Sequence, residues 1–185
     1  MKKLIIGIIF VVIVSVIAIY ALGVYKFDFM DNKVSSENGA VLDPKNGTYQ
    51  IEGNTVTLKD GISEQAPTSE SESKTTTEYF GNDITGDFNN DGKDDVAFVL
   101  TQETGGSGLF VYVVVSLGDG KSGAGTNAIY LGDRIAPQTT EFRNGEIIVN
   151  YTDRKSDEPF SAVPSVGVSK YFKVVGSELL EIVNL

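Results

Sequence analysis

Residues 95–117 read DVAFVLTQETGGSGLFVYVVVSL, two apolar runs separated by a polar, glycine-rich connection. Both runs are rich in valine and are too short for a typical helix, so they predict strands. Because their apolar residues are continuous rather than alternating, we expect both faces of these strands to be covered. This stretch therefore predicts the centre of a β-sheet.

Short strands and turn signals fill the chain on either side of this centre. Dipeptides that typically join hairpin strands occur at Gly53-Asn54, Asn144-Gly145 and Gly176-Ser177. Each is flanked by short segments rich in β-branched and aromatic residues, and a further strand is predicted at 127–131. No long helical periodicity follows residue 25. The sequence therefore predicts a mainly β fold, a small antiparallel β-sandwich or barrel-like domain.

The N-terminal segment has a different character. An uncharged apolar run covers residues 4–25, and Lys2 and Lys3 precede it. As a helix this run would span about 33 Å, close to the thickness of the bilayer core. A cleaved signal peptide is the alternative, but its apolar core is usually about 7–15 residues long and ends at a small-residue site. Because the basic end favours the cytoplasm, both interpretations place the remainder outside it.

The polarity of the remaining segments predicts the domain boundaries. Residues 63–77 are rich in serine, threonine and glutamate, and they have too little apolar surface to offset the entropy of ordering. An isolated hairpin is marginal in water, so we expect the one around Gly53-Asn54 to dock on the main domain. We predict a single-pass transmembrane anchor at 1–25, a spacer at 26–46, a docking β-hairpin at 47–62, a flexible acidic linker at 63–77 and an extracytoplasmic β domain at 78–185.

Composition narrows the possible functions. The chain has a formal net charge of -10, so a nucleic-acid partner is not expected. It contains no histidine and no cysteine. Catalytic triads with histidine, thiol nucleophiles, disulfides and thiolate or imidazole metal sites are therefore excluded. Carboxylate chemistry and cations bound by oxygen remain possible.

One loop has a recognisable chemical pattern. Residues 87–95 read DFNNDGKDD, with oxygen side chains at alternate positions and a glycine where calcium loops turn sharply. The predicted calcium ligands are Asp87, Asn89, Asp91, the Lys93 carbonyl and Asp95. Without a closing bidentate acid, we expect weak binding, about 10⁻⁴–10⁻³ M, and a structural role for Ca²⁺. The alternative is a solvated turn built on Asn90-Asp91-Gly92.

This loop resembles the calcium loops of FG-GAP repeats and of dockerins. The resemblance covers about ten residues and implies the same ligand roles for the loop side chains. The sequence has one copy of the loop, so a propeller of FG-GAP blades is not expected. An EF-hand is excluded because Phe98 occupies the position of the closing acid.

A wider resemblance, over roughly residues 48–172, is to uncharacterised bacterial exported proteins. The stretches that carry it are 79–82 with the loop, 105–108, 131–140 and 149–154. This resemblance implies an exported, membrane-anchored domain and brings no known activity.

Three functions remain open from the sequence. The first is a non-catalytic, calcium-stabilised binding module for an envelope protein or saccharide. The second is a hydrolase of cell-wall or other polysaccharide that uses two carboxylates, drawn from Glu103, Asp133, Glu141, Asp153, Asp157 and Glu158. The third is an accessory subunit of an envelope complex. Enzymatic activity is not the favoured interpretation, since histidine and cysteine are missing.

Overall fold

The computed structural model describes residues 42–66, 74–118 and 124–183. The predicted anchor at 1–25 and most of the predicted spacer at 26–46 lie outside these ranges. Within them, no helix is long and apolar enough to cross a membrane. The described residues instead form strands, apart from a short 3-10 turn at Pro44–Asn46.

The described residues contain twelve strands, which confirm the prediction of a mainly β fold. Their bounds are β1 Thr48–Ile51, β2 Asn54–Thr57, β3 Ile62–Gln65, β4 Thr75–Gly86, β5 Asp95–Glu103, β6 Phe110–Ser116, β7 Ala124–Asn127, β8 Ile129–Asp133, β9 Ala136–Arg143, β10 Glu146–Asp153, β11 Val166–Val175 and β12 Glu178–Ile182.

Eight of these strands form a nearly closed, barrel-like sheet. Their order is β2-β1-β7-β6-β5-β4-β3, and β8 also pairs with β6. The two end strands, β2 and β3, are consecutive in the chain, and a bridge between Lys59 and Ile62 joins them. The sheet therefore rolls until its two ends meet at this turn.

The other four strands form a second, antiparallel sheet in the order β12-β11-β10-β9. Its buried side chains, including Val149 and Phe172, pack with Val99 and Val113 of the first sheet in one apolar core. Two packed sheets of this kind are the layered arrangement expected of a β-sandwich.

The central strands β5 and β6 are covered on both faces, as their continuous apolar sequence predicts. Ala97 and Val99 of β5 belong to the core between the sheets. Phe98 and Leu100 point the other way, into a second core inside the barrel that includes Tyr49. All five side chains are fully buried. Because successive side chains of a strand point to opposite faces, this one short segment contributes side chains to both cores.

Two of the three predicted turns are confirmed, and the first is displaced by one residue. Hairpin pairing closes around Asn144-Gly145 and around Gly176-Ser177. The prediction that Gly53-Asn54 forms the first turn was wrong, because Ile51 pairs with Asn54. The turn residues are Glu52 and Gly53, with φ values of 50° and 81°. Positive φ at both positions is the requirement of a type I′ turn.

The ends of the segment predicted as a flexible linker, 63–77, are instead strands. Ser63 pairs with Thr77, and Gln65 pairs with Thr75, so β3 and β4 meet there. Threonine is favoured in strands, which accounts for the strand at 75–77, while residues 63–65 become a strand by pairing with it. Residues 67–73 lie outside the described ranges.

The pairing of strands that lie far apart in the sequence also differs from the prediction. The hairpin of β1 and β2 joins the first sheet through β1, which runs parallel to β7, so this sheet is not purely antiparallel. The strand predicted at 127–131 is divided at Ala128, whose N–H donates to the Gln50 carbonyl at 2.7 Å. The division allows β6 to pair with both β7 and β8.

An amide side chain joins the two sheets. The Asn127 Nδ2 donates to the Leu179 carbonyl at 3.0 Å, and the Leu179 N–H donates to Asn127 Oδ1 at 2.9 Å. Asn127 ends β7, while Leu179 lies on β12, an edge strand of the second sheet. The side chain therefore satisfies backbone groups that an edge strand leaves unpaired.

Candidate calcium loop

The loop 87–95 connects β4 to the central strand β5. Gly86 ends β4 and pairs with Asp95, the first residue of β5. Between them, Asn90 and Gly92 have φ values of 61° and 84°. Asparagine and glycine tolerate this left-handed conformation better than other residues do. The chain therefore reverses direction tightly just before it enters the core.

Asp87 closes this turn with both of its carboxylate oxygens. The Asp91 N–H donates to Asp87 Oδ1 at 3.0 Å, and the Gly92 N–H donates to Asp87 Oδ2 at 2.9 Å. Aspartate commonly accepts such bonds from the backbone that follows it. The Asp87 side chain therefore lies on the inside of the loop.

Asn89 and Asp91 extend the same arrangement. Asn89 Oδ1 accepts the Asp91 N–H at 3.0 Å, so this one amide contacts oxygens from two side chains. Asp91 Oδ1 in turn accepts the Lys93 N–H at 2.9 Å. Oxygen atoms from Asp87, Asn89 and Asp91 therefore lie close together along the turn, and their role as calcium ligands stays a prediction.

Asp95 has a different position from the other predicted ligands. Its side chain is completely buried, with Oδ2 accepting the Phe88 N–H at 3.0 Å and Oδ1 accepting the Gly118 N–H at 2.8 Å. Burial raises the pKa of this carboxyl, and the nearby charges of Asp91 and Asp87 raise it further. Asp95 therefore connects the loop to the segment after β6.

An apolar side chain, which the ligand pattern did not identify, fixes the loop to the core. Phe88 is 5% exposed, and its ring lies 4.8 Å from that of Phe142 on β9, measured between centroids. The sequence signal was an aromatic residue within an otherwise polar loop. Phe88 holds the start of the loop against the second sheet, while Asp95 holds its end.

The residues of the loop fit a calcium ion in part. Each carboxylate has about four acceptor sites, so an oxygen that accepts one N–H retains capacity for a cation. No three acidic side chains in the described ranges lie close enough to hold a metal by themselves. A cation here would therefore depend on neutral oxygens, from Asn89 and the Lys93 carbonyl, together with Asp87, Asp91 and the acceptor capacity that Asp95 retains.

The alternative hydrolase mechanism requires an acid with a raised pKa, but the pKa of Asp133 is lowered. The Arg134 guanidinium contacts both Asp133 oxygens, at 3.0 and 2.8 Å, and the Leu109 N–H donates to Oδ1 at 2.9 Å. These donors hold the Asp133 pKa below its ordinary value. A general acid in glycoside hydrolysis needs its pKa raised instead.

Two aromatic residues, one on β10 and one in the loop that follows it, have different environments. Tyr151 is buried, and its hydroxyl donates to the Leu131 carbonyl at 3.1 Å. Phe160 is 61% exposed, and the Arg134 guanidinium lies 4.6 Å from its ring centroid. Tyr151 therefore belongs to the core, while Phe160 is available at the surface.

The surface also has a cavity that no sequence motif predicted. This cavity, of about 610 Å³, opens between β2 and β3, where the barrel-like sheet is incompletely closed. Its polar lining includes Glu52, Asn54, Gln65, Thr75, Gln102 and Thr104. These residues come from distant parts of the chain, so only the folded structure brings them together.

Comparisons with protein-family models, with curated proteins and with solved structures gave no match.

Proposed function

We propose that this chain is a membrane-anchored, non-catalytic binding domain of the extracytoplasmic space, in which loop 87–95 binds one Ca²⁺ ion in a structural role. The observation that carries the proposal is the position of Asp87 Oδ1 and Asn89 Oδ1, each 3.0 Å from the same backbone nitrogen of Asp91. Oxygens gathered on the inside of a tight turn are what a hard cation requires.

The expected effect of calcium is on the loop rather than on catalysis. Asp87 and Asp91 bring two negative charges into one turn, and a bound cation reduces their mutual repulsion. The loop leads directly into β5, whose side chains contribute to both cores. Calcium bound here would therefore stabilise the entry of the chain into the centre of the domain.

The proposed location comes from the N-terminal sequence. The uncharged run at 4–25 is long enough for a transmembrane helix, and its basic N-terminal flank favours the cytoplasmic side. Millimolar calcium, typical outside the cytoplasm, matches a site with an expected affinity of about 10⁻⁴–10⁻³ M.

Calorimetric titration of the full-length chain in detergent micelles with CaCl₂ tests the proposal. We expect one site per chain, with Asp91→Asn weakening binding by about tenfold because one ligand charge is lost. Asn89→Asp provides the sharper comparison. The substitution adds a charge at a ligand position, so it should tighten calcium binding. If the loop were only a solvated turn, the substitution should not change calcium binding.

Glu178→Gln is the matched control, since it removes one charge from an exposed residue of the second sheet. Its calcium affinity should equal that of the wild type. Absence of binding in both the wild type and Asn89→Asp would refute the calcium site. Equal weakening by Asp91→Asn and Glu178→Gln would show that only the general negative charge of the domain attracts the ion.

A further inference from the structure

The cavity between β2 and β3 has a structural cause. The two strands are joined at Lys59 and Ile62, but no further pairing between them extends along the described residues. Beyond the turn, a side chain connects them, with Gln65 Nε2 donating to the Thr55 carbonyl at 2.8 Å. The strands therefore diverge, and the cavity of about 610 Å³ lies within the usual range for small-molecule sites, about 300–1,000 Å³.

The chemistry of the lining favours a ligand that has many hydrogen-bonding groups and no negative charge. Amide, hydroxyl and carboxylate side chains line the cavity, and none of its described lining residues is basic. Gln102 is oriented by a bond of 3.0 Å from its Nε2 to Thr77 Oγ1, which leaves its amide oxygen available. Such a surface offers both donors and acceptors. Among the described lining residues, none offers a positive partner for a phosphate or carboxylate.

Glu52 occupies a position in the chain that local structure does not favour. It lies in the type I′ turn with a φ of 50°, where asparagine, aspartate or glycine is usual. Its Oε1 accepts the Tyr112 hydroxyl at 3.0 Å, which fixes the carboxylate at the edge of the cavity. Residues that depart from local conformational preference often mark functional sites.

Aromatic residues lie beside this carboxylate. Tyr130 is opposite Tyr112 in the pairing of β8 with β6, so both side chains project from the same face of the sheet. Their ring centroids are 5.5 Å apart, and Phe110 lies 6.4 Å from Tyr130. Tyr130 is 43% exposed, so its ring is accessible next to Tyr112, although it is not itself among the residues that line the cavity.

We propose that the cleft between β2 and β3 binds a neutral saccharide. Sugar hydroxyls both donate and accept hydrogen bonds, which Glu52, Asn54 and Gln102 can satisfy. A sugar that extends beyond the lining past Glu52 could also pack its C–H face against the exposed ring of Tyr130. The inference rests on the binding-module part of the proposed function and is independent of calcium at residues 87–95.

The test is a titration of the isotope-labelled full-length chain in micelles, monitored by NMR. The probes are four neutral disaccharides: cellobiose, maltose, lactose and N,N′-diacetylchitobiose. We expect at least one to bind with a dissociation constant of about 0.1–1 mM, typical of a small polar ligand. The amide signals of Glu52, Asn54 and Gln102 should shift with its concentration.

Two variants examine the hydrogen bonds and the aromatic ring separately. Glu52→Gln retains an acceptor for the Tyr112 hydroxyl but removes the charge, and it should weaken binding about tenfold. Tyr130→Leu keeps an apolar side chain at a partly exposed position, so the domain should fold while affinity falls by a similar factor. Glu178→Gln is the control and should bind as the wild type does.

The proposal is overturned if none of the four disaccharides shifts these signals at about 10 mM, well above the expected dissociation constant. It is also overturned if the shifts occur elsewhere, or if the neutral peptide Gly-Ser-Gly-Ser binds the cleft more tightly than any sugar. Repeating the titration in EGTA separates the two proposals. Saccharide binding that persists without calcium supports the cleft even if the loop fails to bind calcium.

Discussion

At the scale of single residues, Asp95 illustrates how the same side chain can fit a sequence pattern and have another role in the fold. The pattern of alternate oxygens placed it among the calcium ligands. In the structure its two oxygens accept N–H groups from Phe88 and Gly118, and its place among the calcium ligands stays a prediction. Sequence spacing identified the loop and the inward positions of Asp87, Asn89 and Asp91. Sequence spacing could not show that the N–H of Gly118, which is distant in sequence, would donate a hydrogen bond to Asp95.

Replacement of Asp95 tests this structural role. Asp95→Ala leaves two buried N–H groups without acceptors and creates a small cavity, so it should lower the free energy of unfolding by about 2–5 kcal/mol. Asp94→Ala, at the exposed neighbour, should change it by less than about 0.5 kcal/mol. Urea unfolding in EGTA measures both. Similar losses in the two variants would contradict the assigned role of Asp95.

The ion pair of Asp133 with Arg134 predicts a dependence of stability on pH. The folded protein holds the Asp133 pKa below its ordinary value of 3.8, so the carboxylate contributes stability above pH 3.8. That contribution should be lost as the pH falls through the lowered pKa. Asp133→Asn and Arg134→Gln should therefore both reduce the slope of unfolding free energy against pH in this acid range. An unchanged slope in urea unfolding would exclude the pair as its source.

At the scale of elements, local signals and distant contacts were not equally predictable. Asn144-Gly145 and Gly176-Ser177 specify their hairpins because glycine and asparagine supply the conformation that the turn needs. The first turn shifted by one residue, since Glu52 adopts a positive φ that its residue type does not indicate. The parallel pairing of β1 with β7 joins residues far apart in sequence, and no local pattern encodes it.

A glycine on β7 is expected to determine how closely the first hairpin can dock. A Cβ atom added at Gly125 would overlap the Tyr49 ring and approach the Thr48 carbonyl oxygen to 2.8 Å. Gly125→Ala should therefore cost about 1–3 kcal/mol of unfolding free energy, because a packed core resists added volume. Gly106→Ala is the control, since nothing lies within 4 Å of its added Cβ. Equal stability of the two variants in urea would contradict this packing.

At the scale of the whole molecule, the two apolar runs of residues 95–117 predicted the main feature of the fold. Their continuous apolarity correctly indicated strands covered on both faces, because each face meets a separate core. The rolling of one sheet into a barrel-like shape depends on pairing among many strands, so the sequence could not predict it. The cleft between β2 and β3 is a consequence of that shape and was not predicted either.

We expect calcium bound by residues 87–95 to stabilise the whole domain. The most direct test is thermal unfolding of the full-length chain in detergent micelles, in EGTA and in about 10 mM calcium. With a dissociation constant of about 1 mM, native-state binding should add about 1.4 kcal/mol and raise the midpoint by about 3–8 °C. The rise should be larger in Asn89→Asp and fall to about a third in Asp91→Asn, because a tenfold weaker site adds about 0.4 kcal/mol at the same calcium concentration. Equal midpoints in EGTA and calcium, or the same rise with magnesium and in Asp91→Asn, would contradict the claim.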